Sequence, residues 1–186
     1  MNSKTVVLML LLSVLPLPCR AWDEASLLAL AREAVRCEVL GKASPSTKGS
    51  DRALPVFVTI EQKGQVIGCR GTLQARHTSL QQEVVQAARA AARHDPRYKP
   101  LTATNLQNFL VTVTVVEGST PLASSEIDSL QPEDGLVLQS GQKFGIVLPW
   151  EGKAARVRLA WAYRKAGVAQ GAACRLFRLK AQRFRG

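Results

Sequence analysis

A single cysteine lies between two glycines in the stretch GQVIGCRGTL, residues 64–73, and its setting suggests chemistry more directly than any other residue in the chain. Cysteine reacts as the thiolate, and its pKa falls beside cations or outward-pointing backbone amides. Arg70 directly follows Cys69, while Gly68 and Gly71 would let the backbone bend and expose its amides. The stretch therefore suits either a thiol nucleophile or a small packed cysteine in a tight backbone path.

A catalytic Cys69 would need a base, and the sequence offers two histidines, His77 and His94. Asp95 follows His94 and could orient an imidazole, which would complete a Cys–His–Asp set. Adjacency in sequence does not supply the geometry of a triad, however, and His77 lies in a polar loop where solvation accounts for it. The residues therefore favour a packed Cys69 over a catalytic one.

The segment Asp95-Pro96-Arg97-Tyr98 offers a second kind of chemistry, the binding of an anion. Asp95 is suited to accept amide hydrogen bonds in a turn, and a guanidinium at Arg97 would grip a carboxylate or phosphate beside Cys69. Pairing with an acid or stacking on a ring is the structural alternative for Arg97. The candidate ligand-binding residues are Gly68, Arg70, Gly71, Thr72, Asp95 and Arg97. Neither a Gly-Lys-Ser/Thr phosphate loop nor a GxGxxG fingerprint occurs in the sequence.

The first 21 residues have the layout of a secretory signal peptide. Lys4 precedes the apolar run VVLMLLLSVLPL, and small residues follow at Cys19 and Ala21. The run is too short to span a bilayer comfortably, and charged residues follow it at once. We expect cleavage after Ala21, with lipoprotein cleavage before Cys19 as the less favoured alternative. The expected product is one periplasmic or secreted domain over residues 22–186.

The formal net charge of +11 falls to +9 if residues 1–21 are removed, because they hold Lys4 and Arg20 and no acid. A basic protein invites a nucleic-acid interpretation. Exported proteins rarely meet nucleic acid, however, and the arginines here are scattered, so no nucleic acid is expected. Anionic lipid, an anionic envelope polymer or a merely solvated basic surface fits the charge at least as well.

Three cysteines remain after export: Cys37, Cys69 and Cys174. An odd number in a compartment that permits disulfides leaves two alternatives. Either one pair forms and one thiol is spare, or all three are buried and reduced. Neither a CxxC pair nor Cys/His ligand spacing is present, so no metal and no cofactor are expected.

Periodicity and turn signals predict the elements that would position Cys69. A helix begins near Asp23 or Ser26 and ends at Gly41, and a long Ser- and Lys-rich loop follows. Two strands flank the turn QKGQ, the second of them over 66–73, and glycines inside it indicate a bulge or close backbone approach. A helix with a capping box at Ser79 then ends before Pro96.

The second half of the chain predicts a valine-rich strand over 111–116, a polar linker over 117–134 and a hairpin around SGQK. A helix ending at Gly167 and a basic closing strand complete the chain. The charges of that last strand suggest a sheet edge guarded against self-pairing. Helices and strands do not alternate as βαβ units, which favours an α+β fold with a largely antiparallel sheet.

Six short motifs follow one another along the chain: Gly68–Cys69–Gly71–Thr72, Asp95–Tyr98, Pro100–Thr102, Val111–Val116, Gly135–Pro149 and Lys165–Gly167. In these motifs and their order the chain resembles the AMMECR domain family, over nearly all of residues 22–186. The resemblance implies an α+β domain whose main sheet is flanked by helices, with a smaller second lobe.

Two departures from the family pattern lie near the expected pocket. The family usually reads Arg-Gly-Cys-Ile-Gly, whereas here Ile67 and Arg70 have exchanged those places. After Pro149 the family usually continues Gln-Val-Ala, and this chain has Trp150-Glu151-Gly152. The resemblance also suggests a Memo-like or radical-SAM pathway partner, since bacterial relatives often accompany such proteins.

The leading functional hypothesis is an exported AMMECR-like domain that binds a small anionic ligand or a protein partner. The site would be a cleft rimmed by Cys69, Arg70 and Arg97. One alternative is thiol-dependent redox or transfer chemistry at Cys69. Another is attachment to anionic envelope surfaces through the basic charge.

Overall fold

The computed structural model describes residues 22–47, 49, 52–152 and 154–186. The signal peptide expected over residues 1–21, with its cleavage position, lies outside the described residues. In chain order the elements are α1 (Glu24–Leu40), β1 (Val56–Gln62), β2 (Gln65–Gly71), α2 (Leu80–Arg93), β3 (Phe109–Leu122), β4 (Asp134–Ser140), β5 (Lys143–Val147), α3 (Ala155–Ala166) and β6 (Arg175–Arg185). Two short 3-10 helices cover Ala103–Leu106 and Ser124–Ser129. No helix in the described ranges has the length and hydropathy needed to cross a membrane.

The helices begin and end where local sequence signals predict. Asp23 caps α1 by accepting the N–H of Ala25, and Gly41 ends it in the left-handed conformation with φ of 66°. Ser79 caps α2 by accepting the N–H of Gln82. The predicted capping box is incomplete, since the Gln82 side chain accepts hydrogen bonds from Thr78 rather than from Ser79.

One six-stranded sheet with the order β2-β1-β3-β6-β4-β5 organises the domain. Every neighbouring pair is antiparallel, which confirms the α+β prediction. The prediction that the basic closing strand lies at an edge is wrong, because β6 lies between β3 and β4. Two of its charges are paired across the sheet instead: Lys180 pairs with the buried Asp134, and Arg185 pairs with Glu61.

The strand β3 is much longer than the sequence predicts. Residues 117–122, expected to begin a polar linker, continue pairing with β6 beyond a bulge at Val116/Gly118. Their polar character reflects exposure: residues 117–121 are all exposed to solvent. The strand therefore connects the two halves of the sheet.

The two faces of the sheet carry different partners. α1 and α2 cover β1 and β3, where Val58, Ile60 and Val113 are fully buried. α3 covers β4 and β5 on the same face further along the sheet. On the opposite face, side chains from both flanks of the curled sheet meet in a third cluster; its buried members are Phe57, Val116, Val137, Leu148 and Leu179. Cys69 packs against this third cluster.

Candidate functional site

Gly68 and Gly71 bring the backbone of β2 against its neighbours more closely than any other residue would permit. A Cβ atom at Gly68 would lie 2.2 Å from the carbonyl oxygen of Ala91 in α2. At Gly71 it would lie 2.3 Å from the carbonyl oxygen of Val56. The glycines flanking Cys69 are therefore required by close approach, as the sequence predicted for glycine inside a strand.

Asp95 and Arg97 both form hydrogen bonds with the backbone of Cys69. The Asp95 carboxylate accepts the Cys69 N–H at 2.8 Å, and the Arg97 guanidinium donates to the Cys69 carbonyl oxygen at 2.9 Å. The two side chains also pair with each other, since Nε and Nη2 of Arg97 donate to the two carboxylate oxygens at 2.9 and 2.8 Å. Arg97 thus has the structural role that the sequence left as its alternative, and its guanidinium lies over the Tyr98 ring.

The charge of Asp95 is stabilised although its side chain is almost completely buried. Burial alone would raise the pKa of this carboxyl. The Arg97 side chain and the N–H groups of Cys69 and Arg97 outweigh burial and hold the pKa of Asp95 below its ordinary value. Asp95 and Arg97 are therefore both charged at neutral pH and remain bound to each other.

The Cys69 thiol is in an environment that suppresses its reactivity. Burial raises its pKa above the ordinary value, and the hydroxyl of Thr59, 3.2 Å from the sulfur, only partly offsets this effect. Neither His77 nor His94 hydrogen-bonds to Cys69 or to the Asp95 carboxylate in the described part of the chain. His77 lies instead beside Glu83, at 3.3 Å. The Cys–His–Asp set considered from the sequence is not assembled.

Alkylation of Cys69 by iodoacetamide is accordingly expected to be slow at neutral pH and to accelerate only in alkaline solution. The physical reason is that the thiolate is the reacting form and burial disfavours it. Peptide mass spectrometry over a pH series measures the rate at this residue, with N-acetylcysteine as the unperturbed reference. Labelling of Cys69 that outpaces the reference below pH 7 would contradict the assignment.

An open cleft of about 330 Å³ lies directly beside Cys69. One wall is built from β2 and the turn after α2: Cys69, Arg70, Gly71, Pro96 and Arg97. Arg70 is exposed, and no acidic partner for its guanidinium is found among the described residues. Ile67 packs against the core cluster beneath α1 and α2, whereas Arg70 is among the residues that line the cleft. The three residues expected to rim a cleft, Cys69, Arg70 and Arg97, all line this one.

The opposite wall of the cleft comes from β5, α3 and the turn between them. The sequence placed Trp150-Glu151-Gly152 near the expected pocket but did not include Phe144, Leu148 or Lys165 in the site. Glu151 and Lys165 form an ion pair there at 2.5 Å, and Lys165 also donates to the carbonyl oxygen of Ile146. Phe144 and Leu148 add apolar surface. The Lys-Ala-Gly end of α3 was the sequence signal from which Lys165 could have been found. It belongs to the family pattern, but no role in the site was predicted for it.

The remaining predicted site residues lie outside the cleft. The Gly68 backbone packs against α2 and Asp95 lies beneath β2, so both position the site rather than line it. Thr72 lines a larger neighbouring groove, and its hydroxyl donates to the carbonyl of Gln74.

The three described cysteines are free thiols, with Cys37 buried and the other two half-buried. The structure thus contains no disulfide among the described cysteines, but only Cys37 is buried as the fully reduced alternative expected. No group of His, Cys, Asp and Glu suited to a metal ion occurs among residues 22–47, 49, 52–152 and 154–186.

Comparison with known proteins gives relatives without an assigned function. The chain is 29% identical over 138 residues to a protein of Methanosarcina acetivorans, covering 64% of this chain and 66% of the relative. It is 31% identical over 100 residues to a protein of Thermotoga maritima, covering 53% and 56%. The chain thus spans between about half and two thirds of the length of the curated relatives it matches.

The fold is also found in a solved structure, the uncharacterized protein PH0010 from Pyrococcus horikoshii. The two chains are 23% identical and superpose with a TM-score of 0.74, covering 86% of this chain and 89% of the other. At that identity the likeness concerns the fold alone. The family model described as AMMECR1 matches residues 28–186, which is most of the sequence. This chain is therefore a member of the AMMECR1 family.

Proposed function

We propose that this AMMECR1-family domain binds a small anionic ligand in the cleft beside β2, with the Arg70 guanidinium as the anchoring group. The observation that carries the proposal is the exposed position of Arg70 on the cleft wall without a described acidic partner. A guanidinium in that state presents several N–H donors to a carboxylate or phosphate.

The other charges of the cleft support this assignment because they cancel in pairs. Arg97 is bound to Asp95, and Lys165 is bound to Glu151. Counting Asp95 with its partner Arg97, Arg70 therefore leaves one net positive charge among the described residues that line the cleft. A low-dielectric wall of apolar side chains strengthens the attraction of such a charge for an anion.

Binding is favoured over thiol chemistry by the state of Cys69. Its pKa is raised by burial, and neither described histidine reaches the sulfur, so the nucleophile lacks the activation that catalysis requires. Cys69 and Arg70 both line the cleft, but only Arg70 carries a charge at neutral pH with which to bind an anion. The domain acts as a binding module in this proposal.

Replacement of Arg70 by glutamine tests the proposal. We expect about tenfold weaker binding of inorganic phosphate and of acetate, since a charge-assisted hydrogen bond contributes about 1.5–3 kcal/mol. Isothermal titration calorimetry on the purified chain at low ionic strength measures the affinities.

The matched control is Arg183→Gln, which removes the same charge from an exposed arginine that lines neither the cleft nor the groove. It should change the affinities less than twofold. If Arg70→Gln binds both anions as tightly as the parent chain, Arg70 is not the anchor and the proposal fails.

A further inference from the structure

A larger groove adjoins the cleft and is not explained by the binding of a small anion. Its volume is about 830 Å³, within the range typical of ligand sites. Gly71, Phe144 and Ile146 line both the cleft and the groove, so the two cavities meet at these residues.

The floor of the groove is an apolar face of the sheet. Phe177 lies opposite Val137, and Val137 lies opposite Ile146, so these side chains form a row across three strands. Leu179 and Val116 extend the floor toward β3. No helix among the described residues packs on this face, and Phe177 and Ile146 are only partly buried, so part of its apolar surface stays in contact with water.

Phe144 marks the boundary between the two cavities. Its side chain is 47% exposed although it belongs to the apolar lining of both. A ligand that crosses from the cleft into the groove would remove this ring from water, which is favourable in proportion to the area covered.

The charges on the rim favour an anion in the groove as well as in the cleft. Arg52 and Arg76 line the groove, and their guanidinium groups are without acidic partners in the part of the chain that the structure describes. Glu117 is the acidic residue of the described lining, and its carboxylate accepts a hydrogen bond from Gln182 at 2.6 Å. The combination of an apolar floor and a basic rim is complementary to a molecule with an apolar body and an acidic group.

We infer that the cleft and the groove form one extended site for a small amphipathic anion. The acidic head binds Arg70, and the apolar body passes over Phe144 and Ile146 onto the groove floor. The inference rests on the proposed function, since it takes Arg70 as the anchor, and it adds the chemical class of the ligand: an acyl or alkyl chain ending in a carboxylate or phosphate.

A chain-length series of carboxylates tests the inference by calorimetry on the full chain. Acetate, hexanoate and decanoate, each below its micellar concentration, carry the same head with increasing apolar length. A fully buried methylene strengthens binding about threefold to fourfold, so decanoate should bind at least about tenfold more tightly than hexanoate. Decyl phosphate shows which acidic head group the site prefers. The head is a phosphate if decyl phosphate binds more tightly than decanoate, and a carboxylate if it binds less tightly. Either result supports an amphipathic ligand.

Two variants distinguish the binding of the ligand's acidic head from the binding of its apolar body. Ser119 is exposed and lies opposite Leu179, so Ser119→Trp places an indole on the groove face. It should abolish the gain between hexanoate and decanoate while leaving acetate binding unchanged. Thr120→Trp is the matched control, because successive residues of a strand point to opposite faces. Arg70→Gln should weaken all three carboxylates by a similar factor.

The outcomes distinguish failure of the inference from failure of the proposed function. Equal affinities for the three carboxylates, all reduced by Arg70→Gln, would overturn the extended site and leave the anion site standing. A chain-length gain that survives Ser119→Trp would also overturn the extended site. Decanoate binding that is unchanged by Arg70→Gln would overturn the anchor, and with it both proposals.

Discussion

Replacement of Gly68 by alanine is expected to destabilise the domain by about 3 kcal/mol, the upper range for overpacking of a tightly packed site. The added methyl group would lie 2.2 Å from the Ala91 carbonyl oxygen, and this atom belongs to helix backbone that cannot rotate away. Relief requires separating β2 from α2, which would also disturb the hydrogen bond between the Cys69 N–H and Asp95. Urea denaturation followed by circular dichroism measures the change in the free energy of unfolding.

Gly118→Ala is the matched control for this prediction. Gly118 is also a strand glycine without positive φ, and a Cβ atom built there meets no atom within 4 Å. Its substitution should therefore change stability by less than about 0.5 kcal/mol, as at other unconstrained surface positions. Equal effects at the two glycines would show that the contact with Ala91 is not the reason for Gly68.

Removal of the Asp95 carboxylate is expected to cost about 3 kcal/mol at neutral pH. The side chain is 5% exposed, and Asp95→Ala would leave the Cys69 N–H without its acceptor and Arg97 without its counter-charge. The same denaturation experiment measures this loss. Asp128→Ala is the control, because Asp128 and its partner Arg156 are both well exposed and such pairs contribute little.

The cost of Asp95→Ala should depend on pH in a defined direction. The folded-state pKa of Asp95 lies below the ordinary value of 3.8, so the charged carboxylate stabilises the fold above the unfolded pKa. That contribution is lost as pH falls through the folded-state pKa. The stability difference between the parent chain and Asp95→Ala should therefore narrow in acid, and a difference that stays constant from pH 7 to pH 2 would contradict the assignment.

The sequence was sufficient to predict the elements whose signals are local. Capping at Asp23 and Ser79, the left-handed stop at Gly41 and the alternating valines of β3 all depend on residues within one turn or strand. The glycines around Cys69 were also interpretable, because a glycine inside a strand indicates close backbone approach. The structure contains these locally predicted features because its tertiary contacts stabilise them as well.

The position of β6 was not predictable from its own residues. A strand rich in Arg and Lys resembles an edge strand whose charges prevent self-pairing. The acids that pair with two of these charges lie far away in the chain. Asp134 is 46 residues from Lys180, and Glu61 is 124 residues from Arg185. The residues after Val116 were misassigned for a related reason, since exposed polar side chains are compatible with either a linker or a strand.

The candidate site shows the same limit. The sequence brought Cys69 and Arg70 together because they are adjacent, and it added Arg97 because the Asp95–Tyr98 segment belongs to the same family pattern. It could not separate the roles of the two arginines, because Arg97 is neutralised by Asp95 and only the folded geometry shows this pair. The second wall, with Glu151 and Lys165, depends on the pairing of distant strands.

Nitrogen-15 NMR of the arginine Nε–H groups distinguishes an anion-binding Arg70 from an Arg97 that is held by Asp95. During a titration of the full chain with inorganic phosphate at pH 6, the Arg70 signal, assigned by its loss in Arg70→Gln, should shift in a saturable manner. The Arg97 signal should stay in place, because its Nε–H remains bound to Asp95. A saturable shift of the Arg97 signal with no change at Arg70 would show that the two roles are assigned to the wrong arginines.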